Sequence, residues 1–397
     1  MGGVVTGRWR APGGWFRGRA MLGAVTAVMT LGASVFGASG SAMAATDTQW
    51  HVAYRGHAAG LYDAVATSKT NAWAVGTTGS GSTQRPQFMH WNGKAWSVYN
   101  IHNITKFDPS SVKASAANNV WAFGYNDGDI ADNPYALIFN GSAWRSKPLP
   151  EGFQIGEEAV LSPTSVWAVT NQSCTITGQS RCTVLVHWNG SGWSSTTVPG
   201  EVVSVDSVGG HAFFLALTNM KFYSNGLGFG KPVIYEPTNK MYTFPGPNLQ
   251  IVDEWAGLAV ELNGQRYVMG ALTTGSHPLR LYHEVGSTWS TISIPGNACP
   301  PGTSGYCPLT VGSTLTYDGG HGFWAGYGAH YTGTGWANTG YFGSSFYSIS
   351  SSGFAVNIEA IAPIPGSASA WGVGSVAPGT ASSDWVSTLV AVNGPLP

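Results

Sequence analysis

Charged side chains are scarce in this chain, since Asp, Glu, Lys and Arg make up only 9% of its 397 residues. Ordinary soluble domains contain roughly 25% of them. Of the 18 Lys and Arg residues, four precede residue 45, so 14 basic residues face the 19 acidic ones in the remainder, a net charge of about −5. Because binders of nucleic acid or anionic membranes need a basic surface, this composition disfavours both partners.

Long apolar runs are also missing beyond the first 45 residues, so no later segment is predicted to span a bilayer. The chain instead contains 55 Gly and 12% aromatic residues, and its mean hydropathy is +0.01. Small polar and aromatic residues without charge runs are typical of an extracellular all-β protein and not of a disordered or helical one.

The N-terminal segment has the three parts of a secretory signal. Four arginines lie in the first 20 residues, an uncharged stretch follows at 21–38, and small residues at Ala42 and Ala44 fit an A-x-A cleavage site. We therefore predict a signal peptide at 1–44, a mature chain at 45–397 and secretion to the extracellular space. An uncleaved membrane anchor is the alternative, although the small and polar residues of the uncharged stretch weaken its insertion.

Cysteine is rare, with four residues in two close pairs. Cys174 and Cys182 flank one short segment, and Cys299 and Cys307 flank another. In an exported chain, such pairs predict two local disulfides. Zinc binding is the alternative, but neither pair has a CxxC spacing or a nearby His cluster.

An aromatic motif repeats along the whole mature chain. It occurs as NAWAVG at 71–76, NVWAFG at 119–124 and AWGVG at 370–374, with weaker copies between them. The seven aromatic anchors, spaced about 50 residues apart on average, are Trp73, Trp121, Trp167, Phe213, Tyr267, Phe323 and Trp371. Repetition at this period indicates a propeller or solenoid and not an array of immunoglobulin-like domains, which need about 100 residues each.

A second motif, an aromatic residue followed by Asn-Gly and then by Trp, trails the anchors at 91–96, 139–144 and 188–193. Asn-Gly between aromatic segments predicts a tight β-hairpin, because both central turn residues can adopt a positive φ. Each repeat therefore contains four short strands, as a propeller blade does. Residues 45–397 thus predict a single all-β domain, a seven-bladed β-propeller of four-stranded antiparallel blades.

The two ends of the chain predict how the ring closes. The last repeat stops after Asn393-Gly394 without the Trp that opens a fourth strand, whereas Trp50-His51-Val52 forms an isolated fourth strand near the mature N-terminus. We predict that the N-terminal strand completes the last blade, which would hide two sheet edges.

These repeats resemble the Trp-Asn-Gly β-propellers of secreted actinobacterial proteins and, more broadly, the kelch and galactose-oxidase-like propellers. The resemblance covers essentially the whole mature chain and implies a closed propeller. It says almost nothing about activity, because propellers host unrelated functions. One departure is that no double Gly closes the second strand as in kelch repeats, since the Gly pairs at 209–210 and 319–320 precede that strand.

Acidic residues recur near the start of the first strand in alternate blades. They are Asp63 in blade 1, Glu157 and Glu158 in blade 3, Asp253 and Glu254 in blade 5, and Glu359 in blade 7. Gathered at one mouth of the central channel, they could bind Ca²⁺ or act as an acid/base pair on a glycan. The catalytic candidates are Asp63, Glu158, Glu254 and Glu359. Blades 2, 4 and 6 show no counterpart, and the alternative is that these acids only cap strand ends in water.

Most of the 17 Trp residues occupy repeat positions, which predicts that they pack between blades. Outside the leader, only Trp255 and Trp385 do not fit the pattern, so they are the candidates for stacking on a ligand.

The pattern favours a monomeric binding or interaction module over an enzyme, with a cell-wall or environmental glycan or a protein as its ligand, and no resident metal or cofactor. The alternative is a propeller glycoside hydrolase or polysaccharide lyase that uses the channel carboxylates. Sialidase chemistry is disfavoured because the arginines are scattered, and no P-loop, HExxH or G-x-S-x-G motif occurs.

Overall fold

The computed structural model describes most of residues 50–397. The described residues are 50–56, 59–79, 84–101, 104, 107–126, 134–177, 181–224, 228–237, 240–244, 250–252, 256–271, 279–286, 288–294, 315–325, 329–337, 354–378, 387–394 and 397. Within these ranges, no helix has the length and apolarity needed to cross a membrane.

The described strands form seven sheets, which we number as blades in chain order. The first strand, which belongs to blade 7, is β1 (Trp50–Arg55). Blade 1 contains β2 (Ala59–Ser68), β3 (Asn71–Thr78), β4 (Arg85–Trp91) and β5 (Trp96–Val98). Blade 2 contains β6 (Phe107–Ala116), β7 (Asn119–Asn126), β8 (Pro134–Phe139) and β9 (Trp144–Pro148). Blade 3 contains β10 (Phe153–Ser162), β11 (Ser165–Thr170), β12 (Cys182–Trp188) and β13 (Trp193–Pro199).

Blade 4 contains β14 (Glu201–Val208), β15 (His211–Phe222), β16 (Gly228–Glu236), β17 (Lys240–Thr243) and the short β18 (Ile251–Val252), which pairs with β16. Blade 5 contains β19 (Gly257–Val260), β20 (Arg266–Ala271), β21 (Leu279–Val285) and β22 (Thr288–Ile292). Blade 6 contains β23 (Leu315–Tyr317), β24 (Phe323–Ala325) and β25 (Ala329–Tyr331). Blade 7 contains β26 (Phe354–Pro363), β27 (Ala370–Pro378) and β28 (Ser387–Asn393) together with β1.

The seven sheets form a closed β-propeller. Consecutive strands within a blade pair antiparallel, and the first strand of each blade contacts the first strand of the next, with β26 of blade 7 returning to β2 of blade 1. The predicted all-β, seven-bladed architecture is therefore confirmed. In the described part of blade 6, the predicted fourth strand is reduced to a single bridge between Tyr331 and Trp336.

The N-terminal strand completes the last blade and closes the ring, as predicted. In the pairing of β1 with β28, Trp50 lies opposite Asn393, and His51 lies opposite Val392. A register shift follows between Val52 and Tyr54. The edge that β28 would otherwise leave open is thus covered by a segment from the other end of the chain.

The repeated aromatic residues pack between blades, as predicted. Trp73, which is fully buried, contacts Phe139 and Trp144 of blade 2 at ring-centroid distances of 4.9 and 5.1 Å. Trp371 packs in the same way on two Trp residues of blade 1, at 4.9 and 5.2 Å. The anchor of one blade therefore meets the aromatic hairpin of the next, which explains why both motifs repeat.

The Asn-Gly turns have a local explanation. The Asn92 side-chain oxygen accepts hydrogen bonds from the backbone N–H groups of Lys94 and Ala95, at 3.0 and 3.1 Å. Gly93 follows with a φ of 86°, a conformation that favours glycine. The equivalent glycines of blades 2 and 3 also have positive φ.

Histidines at the repeat position of the third strand stack on the anchors. His90 lies 4.2 Å from Trp73 between ring centroids, and His187 lies 4.1 Å from Trp167. Burial lowers the pKa of both imidazoles. These histidines are therefore packing residues, and His283 makes the same stack on Tyr267 in blade 5.

One of the two predicted disulfides lies in the described residues. Cys174 and Cys182 are bonded, which ties the connection after β11 to the start of β12. Cys299 and Cys307 lie outside the described residues, so their pairing stays a prediction.

Ring closure predicts how the protein responds to truncation. We expect a chain that lacks residues 1–55 to have a lower free energy of unfolding by at least about 3 kcal/mol, because the loss of Trp50 alone resembles a large-to-small core substitution. Its exposed β28 edge should also cause concentration-dependent association. Urea unfolding and size-exclusion chromatography measure both effects, and a chain lacking only residues 1–49 is the control. Equal stability of the two truncated chains would contradict a closing role for β1.

Candidate functional site

The two ends of the ring differ in the connections that leave them. The first and second strands of a blade are joined by short turns, such as 69–70 and 117–118. The second and third strands are joined by longer connections, such as 79–84, 127–133 and 171–181, which leave the end where first strands begin. We call this end the loop face and the opposite end the hairpin face. Because binding residues concentrate on loops held by a rigid scaffold, the loop face is where a site is expected.

Polar side chains from four first strands meet at the channel. We call this set the channel cluster, and it consists of Asp63 on β2, Ser111 and Lys113 on β6, Glu157 and Glu158 on β10, and Asp206 on β14. The structure therefore brings together two of the predicted catalytic candidates, Asp63 and Glu158. Ser111, Lys113 and Asp206 were not predicted.

Asp63 joins blade 1 to blade 2. Its Oδ2 atom accepts hydrogen bonds from Lys113 Nζ at 2.7 Å and from the backbone N–H of Val112 at 2.9 Å. Its Oδ1 atom accepts from the N–H of Ala64 at 2.9 Å. The ion pair is partly shielded, since the side chains of Lys113 and Asp63 are 34% and 16% exposed. Charge-assisted bonds of this kind are stronger than neutral ones, so Asp63 is held as an ionised tie between blades.

Glu158 is the most buried acid of the cluster, with only 4% of the residue exposed. Its Oε1 atom accepts a hydrogen bond from the N–H of Gly156 at 2.6 Å, and its Oε2 atom lies 3.0 Å from Ser111 Oγ. Burial raises the pKa of Glu158 to about 7, although the charge of Lys113 and these hydrogen bonds act in the opposite direction.

The neighbouring Glu157 keeps partial access to water, yet it lies within the channel wall. Desolvation by the surrounding protein raises its pKa to about 8, and the negative charge of Glu158 adds to this rise, while Lys113 opposes it. The channel therefore contains adjacent carboxyls that lose their protons around neutral pH.

Asp206 repeats the arrangement of Asp63 between blades 4 and 5. Its Oδ2 atom accepts from the N–H of Val260 at 2.7 Å, and its Oδ1 atom accepts from the N–H of Ser207 at 2.8 Å. Burial raises its pKa to about 7, against these hydrogen bonds and the charge of Lys113. Blade 4 was predicted to have no counterpart of these acids, and Asp206 corrects that prediction. The sequence comparison missed Asp206 because it lies directly opposite the anchor Phe213, whereas Asp63 lies opposite Val75, beyond its anchor.

A second group of polar side chains comes from β2, β3, β6, β7 and β26. Tyr62 and Thr77 share a hydrogen bond of 2.6 Å, and the charges of Asp108 and Glu359 act on Tyr62. Tyr125, which is paired with Asp108 across β6 and β7, is affected by the charges of Glu158 and Asp108. We call Tyr62, Asp108, Tyr125 and Glu359 the mouth group.

Two acids of the mouth group differ in their environment. Glu359 sits at a register shift of β26 and is exposed, but nearby protein desolvates it and raises its pKa. Asp108 also has its pKa raised by burial, while a hydrogen bond from Gln84 lowers it. Its Oδ1 atom is shielded from solvent and has no hydrogen-bond partner in the described part of the protein. Buried acceptors usually have a donor, so this atom is an exception.

Three other predicted site residues, Glu254, Trp255 and Trp385, lie outside the described residues together with Asp253. Their places at the loop face stay predictions. Among the described residues, no group of three or more His, Cys, Asp or Glu side chains is arranged to hold a metal ion.

A groove also runs between the outer strands of blades 3 and 4. It is lined by Thr196, Thr197, Tyr235 and Met241, among others, and has a volume of about 230 Å³. Because ligand pockets typically measure about 300–1,000 Å³, we do not assign it as the site.

No known protein family matches the sequence, and no curated protein matches it either. Among solved structures, YCF48 bound to D1 peptide is similar at 13% identity over 88% of this chain and 98% of that chain, with a TM-score of 0.49. YCF48 from Cyanidioschyzon merolae is similar at 16% identity over 87% of this chain and 99% of that chain, also with a TM-score of 0.49. The fucose-specific lectin from Aleuria aurantia is similar at 9% identity over 60% of this chain and 79% of that chain, with a TM-score of 0.37. Likeness at this level carries no argument about ligand or activity.

The inter-blade role of Asp63 predicts a stability effect. We expect Asp63→Asn to lower the free energy of unfolding by about 3 kcal/mol at pH 7, because it removes the partner of Lys113 and weakens three charge-assisted hydrogen bonds. Urea unfolding measures the change. Glu151→Gln, at an exposed acid, is the control and should stay within about 0.5 kcal/mol of the wild type. The inter-blade role of Asp63 would be refuted if Asp63→Asn lowered the free energy of unfolding no more than Glu151→Gln does.

Proposed function

We propose that this chain is a secreted binding module that recognises an uncharged glycan at its loop face. The observation that carries the proposal is Asp108 Oδ1, a shielded acceptor that has no donor among the described residues and lies beside Tyr62 and Tyr125. A ligand hydroxyl would supply the missing donor.

The side chains around Asp108 suit a hydroxyl-rich ligand. Tyr62 and Tyr125 offer aromatic rings with a polar tip, which combine apolar contact with hydrogen bonding. Glu157, with its pKa near 8, can donate a hydrogen bond as a neutral acid as well as accept one. Lys113 is already paired with Asp63, and Asp108 and Glu359 add acidic groups near Tyr62, so an uncharged glycan is favoured over an anionic one.

Two of the candidate catalytic carboxyl groups, those of Asp63 and Glu158, are paired or buried and so are not free to act in hydrolysis. A glycoside hydrolase requires one free acid and one free carboxylate on either side of the scissile bond. Asp63 is instead paired with Lys113, and Glu158 is almost completely buried. A binding role therefore accounts for the channel better than turnover does.

Secretion forms part of the proposal. The bond between Cys174 and Cys182 supports it, because disulfides persist in oxidising compartments outside the cytoplasm. The signal segment at 1–44 and the monomeric state are predictions from the sequence.

Binding to a panel of neutral and acidic glycans tests the proposal, with the mature chain 45–397 on a glycan array and isothermal titration calorimetry on the hits. We expect a neutral glycan to bind without turnover. Asp108→Ala should weaken its binding at least about tenfold, the effect of roughly one lost hydrogen bond to a charged group. Trp255→Ala and Trp385→Ala should weaken binding as well, since both residues are proposed to stack on the ligand.

Leu262→Ala is the matched control, because Leu262 is 67% exposed in the turn between β19 and β20 on the hairpin face. It should leave the affinity unchanged. Release of shortened sugars would favour the hydrolase or lyase instead, and unaltered binding by Asp108→Ala would exclude the mouth group as the site. A panel without hits would overturn the glycan as ligand and direct the search to protein ligands.

A further inference from the structure

The hydroxyl of Ser111 lies between two carboxyl groups from different blades. Its Oγ atom is 3.0 Å from Glu158 Oε2 and 3.2 Å from Asp63 Oδ2, and Ser111 itself is buried. A serine hydroxyl carries a single proton and can donate only one hydrogen bond, although it can accept two. Ser111 therefore cannot donate a hydrogen bond to two ionised carboxylates at once.

The other contacts of Asp63 and Glu158 decide which of these two carboxyl groups is protonated. Asp63 Oδ2 already accepts from Lys113 Nζ and from a backbone N–H, and both contacts stabilise its ionised form. Among the described residues, Glu158 has one further donor, the N–H of Gly156, which is directed at its other oxygen. Because Glu158 is also the more buried group, the neutral form costs least there.

We propose that Glu158 is a neutral carboxylic acid that donates its proton to Ser111, which in turn donates to Asp63, and that ionisation of Glu158 breaks this bridge between blades 1, 2 and 3. The bridge runs from β10 through β6 to β2, three first strands that are distant in the sequence. Ionisation leaves one carboxylate oxygen facing the lone pairs of Ser111. The protein therefore has a pH-dependent contact in the wall of its channel.

The other charged and titratable groups around Glu158 are consistent with this assignment. Lys113 on β6 favours ionisation, while Asp63 on β2 opposes it. Glu157 on the same strand and Tyr125 on β7 also interact with Glu158, and Asp206 on β14 acts on Lys113. Lys113 is the single cation among these groups, and its shortest contact is with Asp63.

The sign of the pH dependence follows from linkage. The pKa of Glu158 is about 7 in the folded protein against an ordinary value of 4.5. Between these values the folded state holds a proton that the unfolded state has released, so this contribution to stability is complete below pH 4.5 and is lost as the pH rises through 7. One such proton changes the unfolding equilibrium constant up to about tenfold per pH unit.

Infrared difference spectroscopy and urea unfolding of the mature chain across this pH range test the proposal. The wild type should lose absorption of protonated carboxylic acids as the pH rises through about 7, where Glu158 and Asp206 both titrate, and Glu158→Gln should lack the part that Glu158 contributes. The side-chain amide of Gln donates a hydrogen bond at every pH, so the pH dependence of unfolding below pH 7 should become shallower by about one proton.

Glu157→Gln is the matched control on the adjacent position. It should keep the band that disappears around pH 7, and it should flatten the unfolding profile from pH 4.5 up to about 8, one unit further than Glu158→Gln does, because the folded-state pKa of Glu157 is about 8. The proposal is overturned if Glu158→Gln keeps both the band and the wild-type pH dependence.

Ser111→Ala provides an independent readout if Glu158→Gln does not fold. The variant removes the acceptor of the Glu158 proton, so the carbonyl stretch of the protonated acid should shift to higher frequency. An unchanged frequency would show that Glu158 does not donate to Ser111 and would refute the bridge.

Discussion

The contact between the aromatic anchor of one blade and the aromatic hairpin of the next is the interaction on which the rest of this structure depends. Trp73 of blade 1 packs on blade 2, and Trp371 of blade 7 packs on blade 1 with the same geometry, the rings lying about 5 Å apart. Each large aromatic side chain buries on the order of 150–250 Å², and the repetition of this contact gives each sheet a defined face against its neighbour. Trp371 belongs to the blade that β1 completes, so pairing of the two chain ends and packing of the first blade on the last support each other.

The same packing creates the conditions of the channel. First strands that are brought together around a ring leave little room for water, and polar side chains on them lose part of their hydration. Backbone N–H groups of the next blade satisfy Asp63 and Asp206, and Lys113 balances part of the charge. Desolvation outweighs this compensation at Asp206, Glu157 and Glu158, which explains why their pKa values rise to near neutrality.

The mouth group and the inter-blade ties partly separate along the strands. Asp108 and Tyr125 lie towards the strand ends from which the longer connections leave, whereas Tyr62 adjoins Asp63 and Glu359 lies in the middle of β26. A scaffold that is held by its interior contacts can vary the residues at such ends without a change of fold.

The blade count, the strand order and the ring closure followed from the sequence alone. Their determinants are local, since anchors recur about every 50 residues and each Asn-Gly pair supplies its own turn. The sequence also indicated that Asp63 and Glu158 belong to one region. Only the tertiary structure showed that Ser111 lies between them, that Lys113 neutralises Asp63, and that Asp206 repeats the tie. These contacts join residues about 50 positions apart on different blades, such as Val112 with Asp63 and Val260 with Asp206. They depend on how neighbouring sheets are placed against each other, which is set by side-chain packing between blades and leaves no periodic signal in the sequence.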